Sequence, residues 1–294
     1  MQTLQLLWAG AAQGMIYALV AFGYNITFST SKILNFSLGN VLMLGGVTGF
    51  VLYMTRGVPF AGALAGVLAV GAVAGVLVQK FAVEPSLKKS SQYAWILATL
   101  AAGIVLRNAA EVFWSTDDFK MRSPLGDAPL RLFGAGGIGV YPQEILIIGV
   151  SLAIVVAVET LKSRTLLGKA VLAVAEDRET ASLMGIDQRR IILLSFSLSA
   201  AIAAVGGLLV APITLVSATM GTVLGVKAYS ASIIGGLESG YGTLVGGLII
   251  GLSESLTARF VSTGYKDIPG FVILIALLLV KPSGLFGAHV IRKV

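Results

Sequence analysis

The side chains with a claim to chemistry are few. The sequence holds one histidine, His289, in a basic tail, and no cysteine. No nucleophile and base pair can be assembled around either residue type, and thiolate metal ligands and disulfides are excluded together. A serine and lysine pair built on Lys227 has no supporting pattern around it. What remains are ionisable groups set inside apolar runs: Arg107, Glu111, Lys227 and Glu254. Charge in hydrocarbon costs several kcal/mol unless it is paired, so each of these marks a partner or a pathway. Arg107 and Glu111 stand four apart and are expected to pair on one helix face. Glu254 is expected to pair with Arg259 or with a neighbouring helix. Lys227 can face a solute carboxylate, cap a freed backbone carbonyl or snorkel to an interface.

The elements that hold these groups are membrane spans. Of the 294 residues, 56% are hydrophobic and 12% charged, and the mean hydropathy is +0.90. An ordinary soluble domain carries about 25% charged residues, so the bilayer is the main solvent. Apolar runs at 6–28, 37–55, 58–79, 93–114, 143–161, 191–210, 240–260 and 268–280 predict an all-α, polytopic transmembrane helix bundle with about eight full spans in one domain, 1–294. A further stretch, 211–239, is apolar but interrupted by Pro212, Gly221, Gly225, Gly235 and Gly236, and it carries Lys227 and Glu238. It reads as a broken or re-entrant segment. Lipid cannot satisfy freed backbone groups, so such a break must be buried by protein or line a watery cavity. Half-helix ends also present backbone polar groups to a solute. The pathway candidates are therefore Asn35, Ser37, Leu38, Gly39, Asn40, Lys227, Gly235 and Gly236.

The formal net charge of +7 is explained by membrane orientation, without a nucleic-acid partner. Loop 162–190 holds Lys162, Arg164, Lys169, Arg178, Arg189 and Arg190, whereas loop 115–142 mixes basic residues with Asp117, Asp118 and Asp127. The positive-inside rule makes the first cytoplasmic and the second external. Loop 80–92, with Lys80, Lys88 and Lys89, and the tail with Arg292 and Lys293 then fall inside, the N-terminus outside and Lys32 on the inner side. Segment 211–239 must accordingly make a net inward crossing. Met1 to Gly10 lacks the positive n-region of a cleavable signal peptide and reads as mature protein. Phe36-Ser37-Leu38-Gly39-Asn40 and Gly240-Tyr241-Gly242-Thr243-Leu244 each open a glycine-rich span after a broken segment, a pattern that fits an internal repeat or shared small-residue packing alike. Glycines at 62, 66, 71 and 75 and at 242, 246, 247 and 251 are expected to let helices approach closely.

The most informative soluble stretch is Lys169 to Ile186, which reads as a short amphipathic helix ended by Gly185. Val171, Val174, Ala175, Leu183 and Met184 are expected on its apolar face and Glu176, Asp177, Arg178 and Glu179 on its polar one. Such a helix can insert into a groove on a cytosolic partner or lie on the inner leaflet.

Ala175-Glu176-Asp177 through Ala181-Ser182-Leu183-Met184-Gly185-Ile186 resembles the coupling loop of permease subunits in branched-chain amino-acid ABC importers. The resemblance continues, in order, through Ile33-Leu34-Asn35-Phe36 before Gly39, Gly225-Val226-Lys227-Ala228-Tyr229 leading to Gly235-Gly236, and Gly242-Thr243-Leu244-Val245-Gly246-Gly247. It implies a multi-pass subunit of the bacterial inner membrane that translocates branched-chain or hydrophobic amino acids, or a similar small polar solute. It further implies a second permease subunit, related or identical, two cytosolic ABC ATPase subunits and an external solute-binding protein. ATP and magnesium would sit on the ATPase subunits, with no cofactor in this chain. In that family the loop docks on the ATPase, which makes Ala175, Glu176, Asp177, Ala181, Ser182, Met184 and Gly185 the coupling candidates.

The residues agree on one point independently: no G-x-x-x-x-G-K-[ST] phosphate loop is present, so this chain is not expected to be an enzyme. Family members commonly carry a histidine and a glutamate around the early glycine, where this sequence has Leu38 and Asn40. That departure would alter the field seen by a passing solute and leaves the amino acid open. An ion-coupled secondary transporter is the alternative, because broken helices and repeats occur there too. Few carboxylates lie at mid-span to carry protons, and the basic docking loop favours the ATP-driven reading.

Overall fold

The computed structural model describes residues 2–87, 93–132 and 138–287. Lys88, Lys89, His289, Arg292 and Lys293 lie outside the described residues. The chain is a helix bundle with one two-stranded hairpin. Helix α1 (Gln2–Ser31) is followed by α2 (Leu38–Phe50), which continues as a π-helical turn over Val51–Thr55. Helix α3 (Phe60–Leu77) likewise runs through a π-helical stretch, Val78–Val83, into α4 (Glu84–Leu87). Then come α5 (Ala94–Phe113), the antiparallel hairpin β1 (Leu130–Leu132) and β2 (Ile138–Val140), and α6 (Pro142–Arg164). Two short helices, α7 (Leu166–Glu176) and α8 (Arg178–Leu183), precede α9 (Gln188–Val210), α10 (Met220–Gly235), α11 (Gly240–Phe260) and α12 (Ile268–Val280).

Among the described residues, seven helices are long and apolar enough to cross a membrane. The apolar runs predict eight, and the difference falls on α11. It has 21 residues, but glycine, serine, threonine and Glu254 dilute its hydropathy, and it is shielded by its neighbours. The predicted break at 211–239 is narrower than expected. Irregular backbone is confined to 211–219 and 236–239, and between them α10 is a regular helix of 16 residues, about 24 Å at 1.5 Å per residue. It is not among the seven helices long and apolar enough to cross a membrane. The hairpin in loop 115–142 adds a small β element to the predicted all-α fold. The third span is longer than its apolar run, because Phe60–Leu87 is one continuous helical unit.

Contacts at the ends fix the direction of each helix. At one end Lys32 pairs with Glu238, the Asn25 amide donates to the Leu237 carbonyl at 2.9 Å, and Glu159 approaches Gly240. Helices α7 and α8 lie at this end. At the other, Phe119 bridges to Val216, Gln143 donates to the Leu209 carbonyl at 2.7 Å, and Phe50 packs on Trp114. The centre is closed by α1, α9 and α11. Without water to expel between spans, van der Waals contact holds helices together, which favours small residues. A Cβ on Gly14 would stand 2.6 Å from the Gly247 carbonyl, so this glycine seam brings α1 and α11 backbone to backbone. Gly71 and Gly75 serve α3 against Ala200, Ala204 and Phe196 of α9 in the same way, and Gly242 and Gly246 serve α11 against α10. Gly62 and Gly66 have only side chains of their own neighbourhood nearby.

Candidate functional site

The chain turns sharply between α1 and α2. Helix α1 ends at Ser31, and Lys32 takes the left-handed conformation, with φ 53°. Asn35 Oδ1 then accepts from the Ser37 backbone N–H (3.2 Å) and from its hydroxyl (2.6 Å). This local bonding stabilises a turn that helix continuation would erase. Asn35 Nδ2 is buried without a partner. One turn further, Gly39 meets the Gly221 carbonyl and Gly225, so α2 and α10 touch along their backbones. Any side chain at Gly39 would part them.

Beside that contact lies a cavity of about 270 Å3 between α2, α5 and α10. Its wall is aromatic: Tyr24 and Tyr229 are 5.8 Å apart edge to face, and Phe36 lies 5.5 Å from Tyr229. Asn40, Arg107 and Thr222 add polar groups to it. Asn40 Oδ1 is buried without a partner. Arg107 Nε donates to Glu111 at 2.9 Å, the predicted pair along one helix face.

The opposite face of α10 is ionic. Lys227 Nζ stands 2.8 Å from Glu254 of α11 and 2.7 Å from Asp267 at the head of α12. The Tyr17 hydroxyl donates to Glu254 at 2.8 Å and accepts from Lys227 at 3.3 Å. Lys227 and Glu254 are buried, Asp267 half-exposed. Glu254 thus takes a neighbouring helix as its partner. Among the described residues the Lys227 ammonium caps no backbone carbonyl.

At the α7–α8 end the expected single helix is two. Asp177 closes α7 with φ −151° and opens α8, accepting from the backbone N–H of Glu179 (2.9 Å) and of Thr180 (3.2 Å). An extended residue cannot continue a helix, and aspartate is a favoured N-cap, so the chain breaks there. The Thr180 hydroxyl at 2.6 Å, followed by those N–H groups, holds the Asp177 carboxyl below its usual range. Val174 and Ala181 are buried against Ile191 of α9, which anchors the pair as a bracket. Leu183 (88% exposed) and Met184 (79%) lie off the predicted apolar face and point outward. Gly185, with φ 82°, ends the bracket.

The branched-chain amino acid transport system permease component family matches residues 6–280. The chain belongs to that family. The high-affinity branched-chain amino acid transport system permease protein LivH of Escherichia coli K12 is 29% identical over 301 residues, covering 99% of this chain and 97% of the relative. BraD of Pseudomonas aeruginosa, of the same description, is 31% identical over 303 residues, covering 99% and 98%. The ribose import permease protein RbsC of Escherichia coli K12 is 29% identical over 285 residues, covering 91% and 83%. In shape the chain is similar to one in the structure of PsaBC from Streptococcus pneumoniae in complex with Fab, with TM-score 0.53 at 12% identity over 96% and 94% of the two chains. That likeness shows the fold alone. With its apolar helices, this permease is a multi-pass protein of the inner membrane.

The permease's fold gathers some of the pathway candidates and disperses others. Gly39 and Asn40 line the cavity, with Asn35, Ser37 and Leu38 forming the turn behind it. Leu38 is fully buried against Gly23, so of the two departures from the family pattern only Asn40 reaches the cavity. Lys227 faces away from it. Gly235 and Gly236 lie at the far end of α10, where the Gly235 carbonyl accepts from Phe286 and Gly236 adopts φ 101° against the 284–287 segment. Among the coupling candidates, Ala181 is buried and Ala175 half-buried, while Glu176, Asp177, Ser182, Met184 and Gly185 are exposed. The sequence reading missed Tyr24 and Thr222 as cavity residues and Asp267 as the third ionic partner. Tyr24 sits in an unbroken apolar run, and Asp267 is brought to Lys227 across 40 positions of chain.

Proposed function

We propose that this chain is the membrane-spanning half of an ATP-driven importer and performs no covalent chemistry itself. Its bracket receives a cytosolic ATPase, a second permease subunit, related or identical, completes the passage, and an external solute-binding protein delivers the solute. Two ATPase subunits, carrying ATP and magnesium, drive the pair. The observation that carries this reading is the bracket: α8 is anchored on one side by Val174, Ala181 and Ile191 and offers Leu183 and Met184 on the other. Exposed apolar side chains on a rigid, capped element are what a partner's groove can grip. The basic residues of 162–190 put that end in the cytoplasm, and the loops at 115–142, 211–219 and 261–267 then face outward.

The cleft between α2, α5 and α10 is the proposed solute passage. Its aromatic wall, the Asn40 amide and the Arg107 guanidinium suit a branched-chain or hydrophobic amino acid, or a similar small polar solute, passing one at a time. ATP-driven closure of the ATPase pair pulls on the bracket, and the spans reorient around the cleft. Moving a two-state equilibrium from 1:99 to 99:1 takes about 5.5 kcal/mol of differential binding, so the link has to be stiff. The Asp177 cap and the buried face of the bracket provide that stiffness. Purification of the tagged chain from native membranes, with identification of co-purifying proteins and an ATPase assay, tests the proposal. Recovery of cytosolic ATPases with vanadate-sensitive activity is expected, and repeated recovery of an active transporter without them would overturn it in favour of ion coupling.

A further inference from the structure

The ionic cluster on α10 is not used by the passage, yet it lies on the same helix. Gly221, Gly225 and Tyr229 face the cleft, while Lys227 faces α1, α11 and α12. One ammonium serves two carboxylates on two different helices, Glu254 within α11 and Asp267 at the head of α12. The cluster borders a cavity of about 490 Å3 that also reaches Thr214 and Lys266, so it is not packed shut. Its cavity opens at the end that holds 211–219 and 261–267. On the cleft side α10 is held by uncharged contacts, Gly221 and Gly225 against Gly39 and Tyr229 against Tyr24 and Phe36, whereas Lys227 ties it to two other helices through ion pairs. The ionic side therefore ties the position of α10 to α11 and α12.

We propose that Lys227, Glu254, Asp267 and Tyr17 are positioning residues that fix the passage-lining helix α10, with Asp267 as the exchangeable arm tying α10 to the outer loop 261–267. The buried pair Lys227–Glu254 holds the helix in the bundle. The half-exposed Asp267 links its position to the solvent-facing end, where a delivery protein would dock. This rests on the cleft being the passage. Losing Asp267 leaves Lys227 paired with Glu254, so no buried charge is stranded and the fold survives.

The test uses the absence of native cysteine. In the assembled importer in nanodiscs, the thiol introduced by Thr222→Cys, exposed on the cleft side of α10, is titrated with a water-soluble methanethiosulfonate reagent, with and without Asp267→Asn. The expected result is a labelling rate changed at least threefold by Asp267→Asn, solute uptake reduced at least tenfold, a melting temperature within a few degrees of the parent, and restoration of both rates by Asp267→Glu. An unchanged labelling rate overturns the proposal. So does a loss of uptake that tracks a fall in melting temperature and is not restored by Asp267→Glu, since a packing role alone would produce it. Retained ATPase subunits and basal ATP hydrolysis in the same preparations separate failure of this proposal from failure of the importer reading.

Discussion

The glycine seam between α1 and α11 and the α7–α8 bracket are built on opposite principles. In the seam, Gly14, Gly247 and Gly251 remove side chains so that two spans meet backbone to backbone, and nothing is left for a partner to touch. In the bracket, one face is fixed by Val174 and Ala181, and the other holds Leu183 and Met184 out to solvent. Helices in lipid gain little from burying apolar groups against each other, so close fit has to stabilise the bundle. An element in water gains from covering apolar side chains, so exposed ones point to a missing partner. The seam therefore reports stability, and the bracket is where the proposed partner contact would be made.

Gly14→Leu strikes the seam hardest. The blocking atoms belong to the Gly247 backbone and cannot rotate away, so the expected result is no monodisperse protein on size-exclusion chromatography. A well-behaved variant would show that the seam is looser than drawn. Lys227→Met comes next. It strands two carboxylates, and breaking a buried pair costs roughly 3–5 kcal/mol, read as a large drop in melting temperature in detergent. The double change Lys227→Met with Glu254→Leu should recover most of that stability.

In the bracket the effects are smaller and local. Asp177→Asn keeps a capping oxygen but loses the charge, so a modest rise in hydrogen exchange confined to α8 is expected with an unchanged bundle. The carboxyl of Asp177 lies below its usual range, so its contribution is fully present above the unfolded value and is lost as pH falls through the lower folded value. Protection factors in α8, with the intrinsic pH dependence of amide exchange divided out, should therefore be flat from neutral pH to about pH 5. Arg107→Gln is expected to do least to stability, since a partly exposed i,i+4 pair contributes about 0.3–0.5 kcal/mol, while slowing uptake if the cleft is the passage. A melting temperature within a degree or two of the parent checks the first part.

How legible all this is in the sequence follows from the same contrast. The span pattern and the Arg107–Glu111 pair follow from hydropathy and i,i+4 spacing, which act locally. Glu254 meeting Lys227 and Asp267 depends on three helices converging, and no local spacing encodes that. The bracket shows the limit most clearly. At about 100° per residue, Ala181 returns to the side of Val174, where both are buried, while Leu183 falls opposite it, so the expected apolar face joins residues that the helical period separates, and the apolar pattern says nothing of the break at Asp177. Aspartate followed by Arg-Glu-Thr was the signal for that break, and it is outweighed by the apolar repeat on either side. The sequence likewise points to the turn at Asn35–Asn40, but not to which of its side chains faces the cleft.

ATP-dependent uptake of radiolabelled leucine, isoleucine and valine into proteoliposomes holding the complete importer, comparing the parent with Leu183→Glu/Met184→Glu, tests the central claim most directly. The account predicts at least a tenfold loss of uptake and of ATPase co-purification in the double variant, with the melting temperature of the permease unchanged. Full ATP-dependent uptake by a variant carrying two charges at that exposed tip would contradict it.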